Sequence, residues 1–162
     1  MKKLLPSVWV VFLLIGIGGF QASAQHSLKL KSGTFQLPFM QDPAAHLAQV
    51  QPQEIHNDSY TRIIQFTQLP TDAQKQQLER LGLQFTSYLP DNAYLVEIPV
   101  QLATSVWQGK NIHSIYPVAP EYKLDPRLVR GDIPNYAWEG QEVRMTVQWL
   151  RAVDPILQSQ IV

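Results

Sequence analysis

The side chains best suited to chemistry in this sequence are four histidines, since the chain contains no cysteine. They are His26, His46, His56 and His113. No two of them have the spacing of metal ligands on one helix, and there is no cysteine to complete a zinc site. We therefore expect no metal ion or other cofactor. We interpret His113, which falls in a predicted strand, as a structural residue.

No segment carries the local pattern of a catalytic site. The sequence has no Gly-x-Ser-x-Gly elbow, no Asp, His and Ser in the contexts of a hydrolase triad, and no glycine-rich phosphate loop. Without cysteine the chain also lacks a thiolate nucleophile and cannot form disulfides. The sequence therefore predicts that this chain is not itself an enzyme.

The first 24 residues have the pattern of a cleavable signal peptide. Lys2 and Lys3 precede an apolar run over residues 4–20, and Ala22 and Ala24 place small residues where signal peptidase requires them. The alternative is a membrane anchor, but the apolar core is short for a bilayer span and no basic stop-transfer cluster follows. We expect cleavage after Ala24 and a secreted or periplasmic product that is free of the membrane.

The charge of the exported chain gives no reason to expect a nucleic-acid partner. The whole chain has 13 basic and 13 acidic residues, so loss of Lys2 and Lys3 leaves 11 and 13, a net charge of −2. No basic stripe suggests an anionic membrane surface either. The 138 residues that remain (162 less 24) are enough for one ordinary domain.

The middle of the chain predicts a small mixed domain. Thr71 and Gln74 form a capping box that starts a helix, and Gly82 ends it. Ala103, Val106 and Trp107 have the spacing of a second, short helix. Segments of strand composition and alternation lie around these helices, at residues 62–67, 83–89, 93–98 and 112–118.

The predicted order is therefore β-α-β-β-α-β, which is the ferredoxin-like, split βαβ arrangement of the α+β class. Its antiparallel sheet would carry both helices on one face, so the other face would be free to bind a partner. Residues 25–58 precede this domain as an extended leader, with one strand possible near residues 28–31, and the domain itself covers residues 59–128.

The sequence after the domain suggests a linker and the start of a second unit. Residues 119–126 contain two prolines and no periodicity, which predicts extended chain, and residues 129–141 form a polar linker. Residues 143–149 alternate like a strand, and Asp154 with Pro155 resembles a helix start. We expect residues 142–162 to be a truncated second βα unit, and the chain to be a fragment of a longer protein.

Several short strings, in order, resemble the fervidolysin-like N-terminal prodomain of subtilisin-type serine proteases. The most specific are Tyr-Leu-Pro-Asp-Asn-Ala-Tyr-Leu-Val at 88–96 and Pro-Glu-Tyr-Lys-Leu at 120–124, supported by Ile-Gln-Phe at 64–66 and Ile-Tyr-Pro at 115–117. The resemblance covers residues 60–128. It implies a secreted, ferredoxin-like propeptide that acts as an intramolecular chaperone and protease inhibitor for the catalytic domain, in cis or in trans.

The resemblance also implies which residues contact the protease. The sheet face would dock on two surface helices of the enzyme, with Asp91 offering a carboxylate to a helix N-terminus. The tail after the last strand would run through the substrate cleft as an extended strand. In this sequence that tail is Pro120, Glu121, Tyr122, Lys123 and Leu124.

The sequence departs from such precursors because the subtilisin catalytic domain is absent and residues 143–162 follow the tail. Two other hypotheses therefore stay open. The chain could be a secreted protein-binding or adaptor module that uses the same fold, since fold alone does not fix function. The remaining hypothesis, an enzyme in its own right, has no supporting motif.

Overall fold

A computed structural model describes residues 26–150 of the protein. The signal peptide, with Ala22 and Ala24, and the predicted helix start at Asp154 and Pro155 lie outside the described residues. The described part is α+β, with antiparallel sheets and few helices. Its strands are β1 (Ser27–Leu30), β2 (Gly33–Gln36), β3 (Ser59–Phe66), β4 (Gln84–Leu89), β5 (Ala93–Pro99), β6 (Ile112–Pro117), β7 (Trp138–Glu139) and β8 (Glu142–Val143).

Three α-helices and four 3₁₀ turns connect these strands. The helices are α1 (Asp72–Arg80), α2 (Pro120–Lys123) and α3 (Pro126–Arg130). The 3₁₀ turns are Pro43–Gln49, Pro52–Glu54, Thr104–Trp107 and Asn135–Ala137. No helix within residues 26–150 is long and apolar enough to cross a membrane.

The central sheet has the strand order β4-β5-β3-β6, and all neighbouring strands are antiparallel. β3 lies inside the sheet and is buried along almost its whole length. Tyr60, Ile64 and Phe66 face one layer of side chains, while Ile63 faces the other. A strand buried on both faces needs apolar residues at successive positions, which explains the unbroken Ile63-Ile64 pair.

The predicted start and end of α1 are confirmed. Thr71 Oγ1 accepts from the Gln74 N–H at 3.3 Å, and the Gln74 side chain accepts from the Thr71 N–H at 2.9 Å. Gly82 follows the helix with a φ of 106°, where a side chain would be strained. The helix presents the buried Leu78 to the core.

The second helix is shorter than predicted. Only Thr104–Trp107 is helical, as a 3₁₀ turn, while Ala103 is its N-cap. A 3₁₀ helix persists for only a few residues, and this one ends at Trp107, two residues before Gly109 with its φ of 65°. Val106 and Trp107 are nevertheless buried, so the predicted apolar side of this segment does face the core.

The leader predicted over residues 25–58 is largely folded onto the domain. β1, which corresponds to the strand considered near residues 28–31, pairs with β2 as a hairpin. Leu28 and Leu37 are buried against Ile63 and Ala93, on the sheet face that the sequence led us to expect free. On the opposite face, the turn Pro43–Gln49 packs on the main core.

The predicted strand over residues 143–149 is wrong beyond its first residue. Within the described chain, β8 pairs only with the two-residue β7, and residues 144–150 lie outside helices and strands. A segment of alternating residues forms a strand only where it can hydrogen-bond to another strand. β7 is two residues long, so it can pair with only two residues of this segment, Glu142 and Val143.

We expect Leu28→Ala to lower the free energy of unfolding by about 2–5 kcal/mol, because it leaves a cavity between the hairpin and the sheet. Leu69→Ala is the matched control, since Leu69 is 46% exposed and its truncation should cost no more than about 0.5 kcal/mol. Urea denaturation followed by circular dichroism measures both. Equal stability of the two variants would show that the hairpin is not packed in solution.

Candidate protein-docking site

The predicted tail, residues 120–124, is not extended in the structure. It forms one helical turn, α2, with Pro120 at the first helical position after Ala119. The fixed φ of proline suits that position, and its missing N–H is one that a helix start leaves unbonded anyway. The Tyr122 N–H donates to the Ala119 carbonyl at 3.0 Å. The two prolines taken to exclude a helix instead start two short ones, α2 and α3.

Tyr122 alone among the tail residues is partly buried against the domain. Its ring lies edge-on to Phe35 with ring centroids 4.5 Å apart, and its carbonyl accepts from Ser32 Oγ at 3.1 Å. Burial raises the pKa of the Tyr122 hydroxyl, and the nearby Glu121 adds to that rise. The side chains of Glu121, Lys123 and Leu124 are exposed. Most of the tail is therefore exposed to solvent, while Tyr122 is held against the domain.

The residues after the tail form a second short helix with its own cap. The Asp125 carboxylate accepts from the Arg127 N–H at 2.9 Å and pairs with the Arg127 guanidinium at 3.0 Å. These hydrogen bonds lower the pKa of Asp125 to about 2. Gly131 ends α3 in the left-handed region. Leu124, between the two helices, has an extended backbone.

Asp91 lies in the tight turn between β4 and β5, and its main role there is structural. Asp91 and Asn92 have φ values of 62° and 60°, which this kind of hairpin turn requires and which Asp and Asn tolerate. The Asp91 carbonyl accepts from Gln65 Nε2 at 3.0 Å. Its carboxylate lies 3.8 Å from Lys29 Nζ, a largely exposed pair that contributes little to stability.

Asp91 and the tail lie toward opposite ends of β3. The turn that contains Asp91 lies next to Ala93, which pairs with Gln65 near the end of β3. The tail follows Pro117, the last residue of β6, which pairs with Arg62 in the first half of β3. A partner that contacts both would have to span the sheet face between them.

An open groove lies on that face, bordered by the β1–β2 hairpin, by β4, by the tail and by residues 148–150. It has a volume of about 630 Å³. Its apolar wall includes Leu30, Ile63, Leu89, Leu95, Val118 and Tyr122. Thr86, Ser87, Lys123 and Gln148 give it polar positions. Sequence reasoning predicted an open face but missed the hairpin that narrows it to this groove.

The histidines do not form a shared site. His26 stacks on His113 with ring centroids 4.1 Å apart, and Phe39 lies edge-on to the same His113 ring. Burial lowers the pKa of His113, and His26 adds to that effect. Within residues 26–150 there is no group of three or more His, Asp or Glu residues that could hold a metal ion.

His46, in the turn Pro43–Gln49 of the leader, is fully buried against Tyr60 of β3 and Trp107. Its Nδ1 donates to the Pro43 carbonyl, so Nε2 carries the lone pair that accepts from the Tyr60 hydroxyl at 2.9 Å. Trp107 packs edge-on against the ring at 5.0 Å. Burial lowers the pKa of His46, and it raises the pKa of Tyr60 to about 12. Both groups are therefore neutral at neutral pH and act as a structural hydrogen-bonded pair.

The fold and the groove define a small α+β domain with an antiparallel sheet and an exposed tail. Residues 29–119, more than half of the chain, match the family described as Domain of unknown function (DUF8729), and the chain belongs to that family. The match begins within β1 and ends at Ala119, directly before α2. No curated protein and no solved structure matches the chain.

We expect the protein to lose stability in mild acid through His46. Because burial lowers the pKa of His46 in the folded chain, the unfolded chain binds the proton first as the pH falls. The loss therefore begins below about pH 6.5, the usual histidine pKa, and has a slope of at most about 1.4 kcal/mol per pH unit for one proton. Urea denaturation at several values between pH 5 and pH 8 measures it.

The variants for this test are His46→Gln and the surface variant Leu69→Ala. His46→Gln should flatten the pH dependence, leaving the part due to His113, whereas Leu69→Ala should leave the slope unchanged because it removes no titratable group. A slope that His46→Gln does not alter would mean that His46 is not titrated on unfolding.

Proposed function

We propose that this chain is the prodomain of a secreted subtilisin-type serine protease, in which it acts as intramolecular chaperone and inhibitor of the catalytic domain. The proposal includes export through the signal peptide over residues 1–24 and a fervidolysin-like family relationship. The chain itself carries no catalytic role in this proposal. Its partner is the protease domain, in cis or in trans.

The strand order supports the ferredoxin-like arrangement that such prodomains have. β3 is followed by α1, then by the β4–β5 hairpin, the 3₁₀ turn Thr104–Trp107 and β6. The resulting order β4-β5-β3-β6 places the first and third strands of the unit side by side at the centre. We take the 3₁₀ turn to replace the second helix of the ferredoxin-like pattern.

The observation that carries the proposal is the position of the tail. β6 ends at Pro117, and a Pro-Glu-Tyr-Lys-Leu segment that is exposed except at Tyr122 follows beside an open groove of the sheet. A protease cleft binds substrate as an added β-strand, so it needs a segment that it can reach and extend. A single helical turn is marginal in water on its own, so α2 can open once the contacts of Tyr122 with the domain are released.

The same geometry suggests how the chain would inhibit. When α2 opens, the N–H and C=O groups of Glu121, Tyr122, Lys123 and Leu124 become available to the cleft, while Pro120 offers only its carbonyl. The Asp91 carboxylate, which makes only a weak pair with Lys29, could instead face the positive N-terminus of an enzyme helix.

A second candidate is a secreted protein-binding or adaptor module. The β1–β2 hairpin favours it, because the hairpin covers part of the sheet face that a docking protease would use. In that case the groove beside Tyr122, rather than the tail, would be the binding surface. The inhibition experiment below separates the two.

We expect residues 25–162 to inhibit a subtilisin-type protease, and we expect replacement of Tyr122, Lys123 and Leu124 by glycine to weaken inhibition about tenfold or more. Tenfold corresponds to ~1.4 kcal/mol of binding. The reason is that the glycines remove the side chains that would fill the substrate pockets. Hydrolysis of a chromogenic peptide by a panel of subtilisin-type proteases from several subfamilies measures it.

The matched control replaces Leu128, Val129 and Arg130 by glycine. These residues form the exposed end of α3, so this variant introduces the same number of glycines outside the tail. Equal weakening by both triple variants would argue against the tail as the inhibitory segment. A folded protein that inhibits no protease of the panel would favour the adaptor module.

A further inference from the structure

We infer that the β1–β2 hairpin is a clamp that holds the tail closed, so that the hairpin regulates the inhibitory segment of the same chain. The clamp consists of Ser32 and Phe35, and its target is Tyr122. The inference rests on the proposed function for its biological meaning. The clamp itself can be tested without any protease partner.

The first argument is that both backbone groups of Tyr122 are already used. Its N–H donates to the Ala119 carbonyl at 3.0 Å, and its C=O accepts from Ser32 Oγ at 3.1 Å. Binding as an added strand requires free backbone groups on the inserted segment. The closed tail and a tail bound in a cleft therefore exclude each other at this residue.

The second argument is the apolar contact. The Phe35 and Tyr122 rings meet edge-on at 4.5 Å, and Tyr122 packs with the cluster that buries Leu28 and Leu37. The hairpin thus holds the tail by one side-chain hydrogen bond and one aromatic pair, while its own buried leucines keep it on the sheet. Ser32 and Phe35 therefore hold the tail, while the buried Leu28 and Leu37 hold the hairpin on the sheet.

The third argument is that the clamp is weak enough to act as a regulator. A single hydrogen bond and a single aromatic pair each shift an equilibrium by a small factor, and together they amount to roughly tenfold. When only the open fraction can bind, the apparent dissociation constant rises in inverse proportion to that fraction. Removing the clamp should therefore tighten inhibition by up to the same factor.

The test compares the unmodified chain with the double variant Ser32→Ala, Phe35→Ala. Dilute trypsin is added, and cleavage at the exposed Lys123–Leu124 bond is followed by mass spectrometry. We expect cleavage there to become roughly tenfold faster in the double variant. Cleavage at Arg130–Gly131, at the end of α3, is the internal control and should keep its rate.

Two further variants guard against an effect of misfolding. Ser32→Ala alone removes the hydrogen bond and leaves the hairpin core intact, and it should give a smaller increase in the same direction. Phe39→Ala removes a 64% exposed aromatic ring that contacts His113 rather than the tail, and it should change neither cleavage site. Faster cleavage of both the Lys123–Leu124 and the Arg130–Gly131 bond in the double variant, or faster cleavage in Phe39→Ala, would indicate that the whole domain is destabilised. Either result would overturn the clamp.

The outcomes also separate the clamp from the proposed function. An unchanged rate at Lys123–Leu124 in the double variant overturns the clamp, whatever the chain inhibits. Faster cleavage without inhibition of any protease supports the clamp and contradicts the proposed function. Faster cleavage with unchanged inhibition of a sensitive protease shows that release of the tail does not limit inhibition, which overturns the regulatory part of the inference.

Discussion

β3 is the element on which the other parts of the structure depend, because it is bonded on both edges and buried on both faces. Three of its buried side chains are polar, namely Thr61, Arg62 and Gln65, and the last two bind segments that precede the sheet. Arg62 forms a two-point pair with the Glu54 carboxylate at 3.0 and 3.1 Å and lies over the Tyr60 ring. Gln65 donates to the carbonyls of Ser27 and Asp91.

These two side chains explain why residues 26–58 belong to the folded body. A buried guanidinium is costly without a partner, so Arg62 ties the turn Pro52–Glu54 to one end of β3. A buried amide also needs partners, so Gln65 joins β1 and the β4–β5 turn at the other end. The β1–β2 hairpin is thereby held on the sheet, and its Leu30 lines the groove together with Tyr122.

The strands and α1 could be predicted from sequence because their signals are local. The Thr71–Gln74 capping box and the strand alternation depend on neighbouring residues alone. The folding of residues 26–58 could not be predicted in this way, since it depends on partners far along the chain. The residues around His46 do not show that the Tyr60 hydroxyl will donate a hydrogen bond to it, and the residues around Leu28 do not show that it will pack against Ala93.

The same distinction applies to the candidate site. Pro90, Asp91 and Asn92 are residues typical of turns, and the structure places Asp91 and Asn92 in a turn with a left-handed backbone. The sequence could not show that the tail is helical, since Pro120 is compatible with both an extended chain and the first turn of a helix. Nor could it show the contact with Phe35, which lies more than eighty residues earlier in the chain.

The packing of the hairpin also sets an order of events during folding. β1 and β2 are synthesised before β3, β4, β5 and β6, yet the surface that buries Leu28 includes Ala93 at the start of β5. Contacts between residues so far apart in sequence are expected to form late, because closing the long loop between them costs entropy before the contacts can stabilise the chain. We therefore expect the hairpin to dock after β5 has joined the sheet, and the contact between Tyr122 and Phe35 to form after the hairpin has docked. The helical turn that carries Tyr122 would then be among the last parts of the described chain to reach its final position.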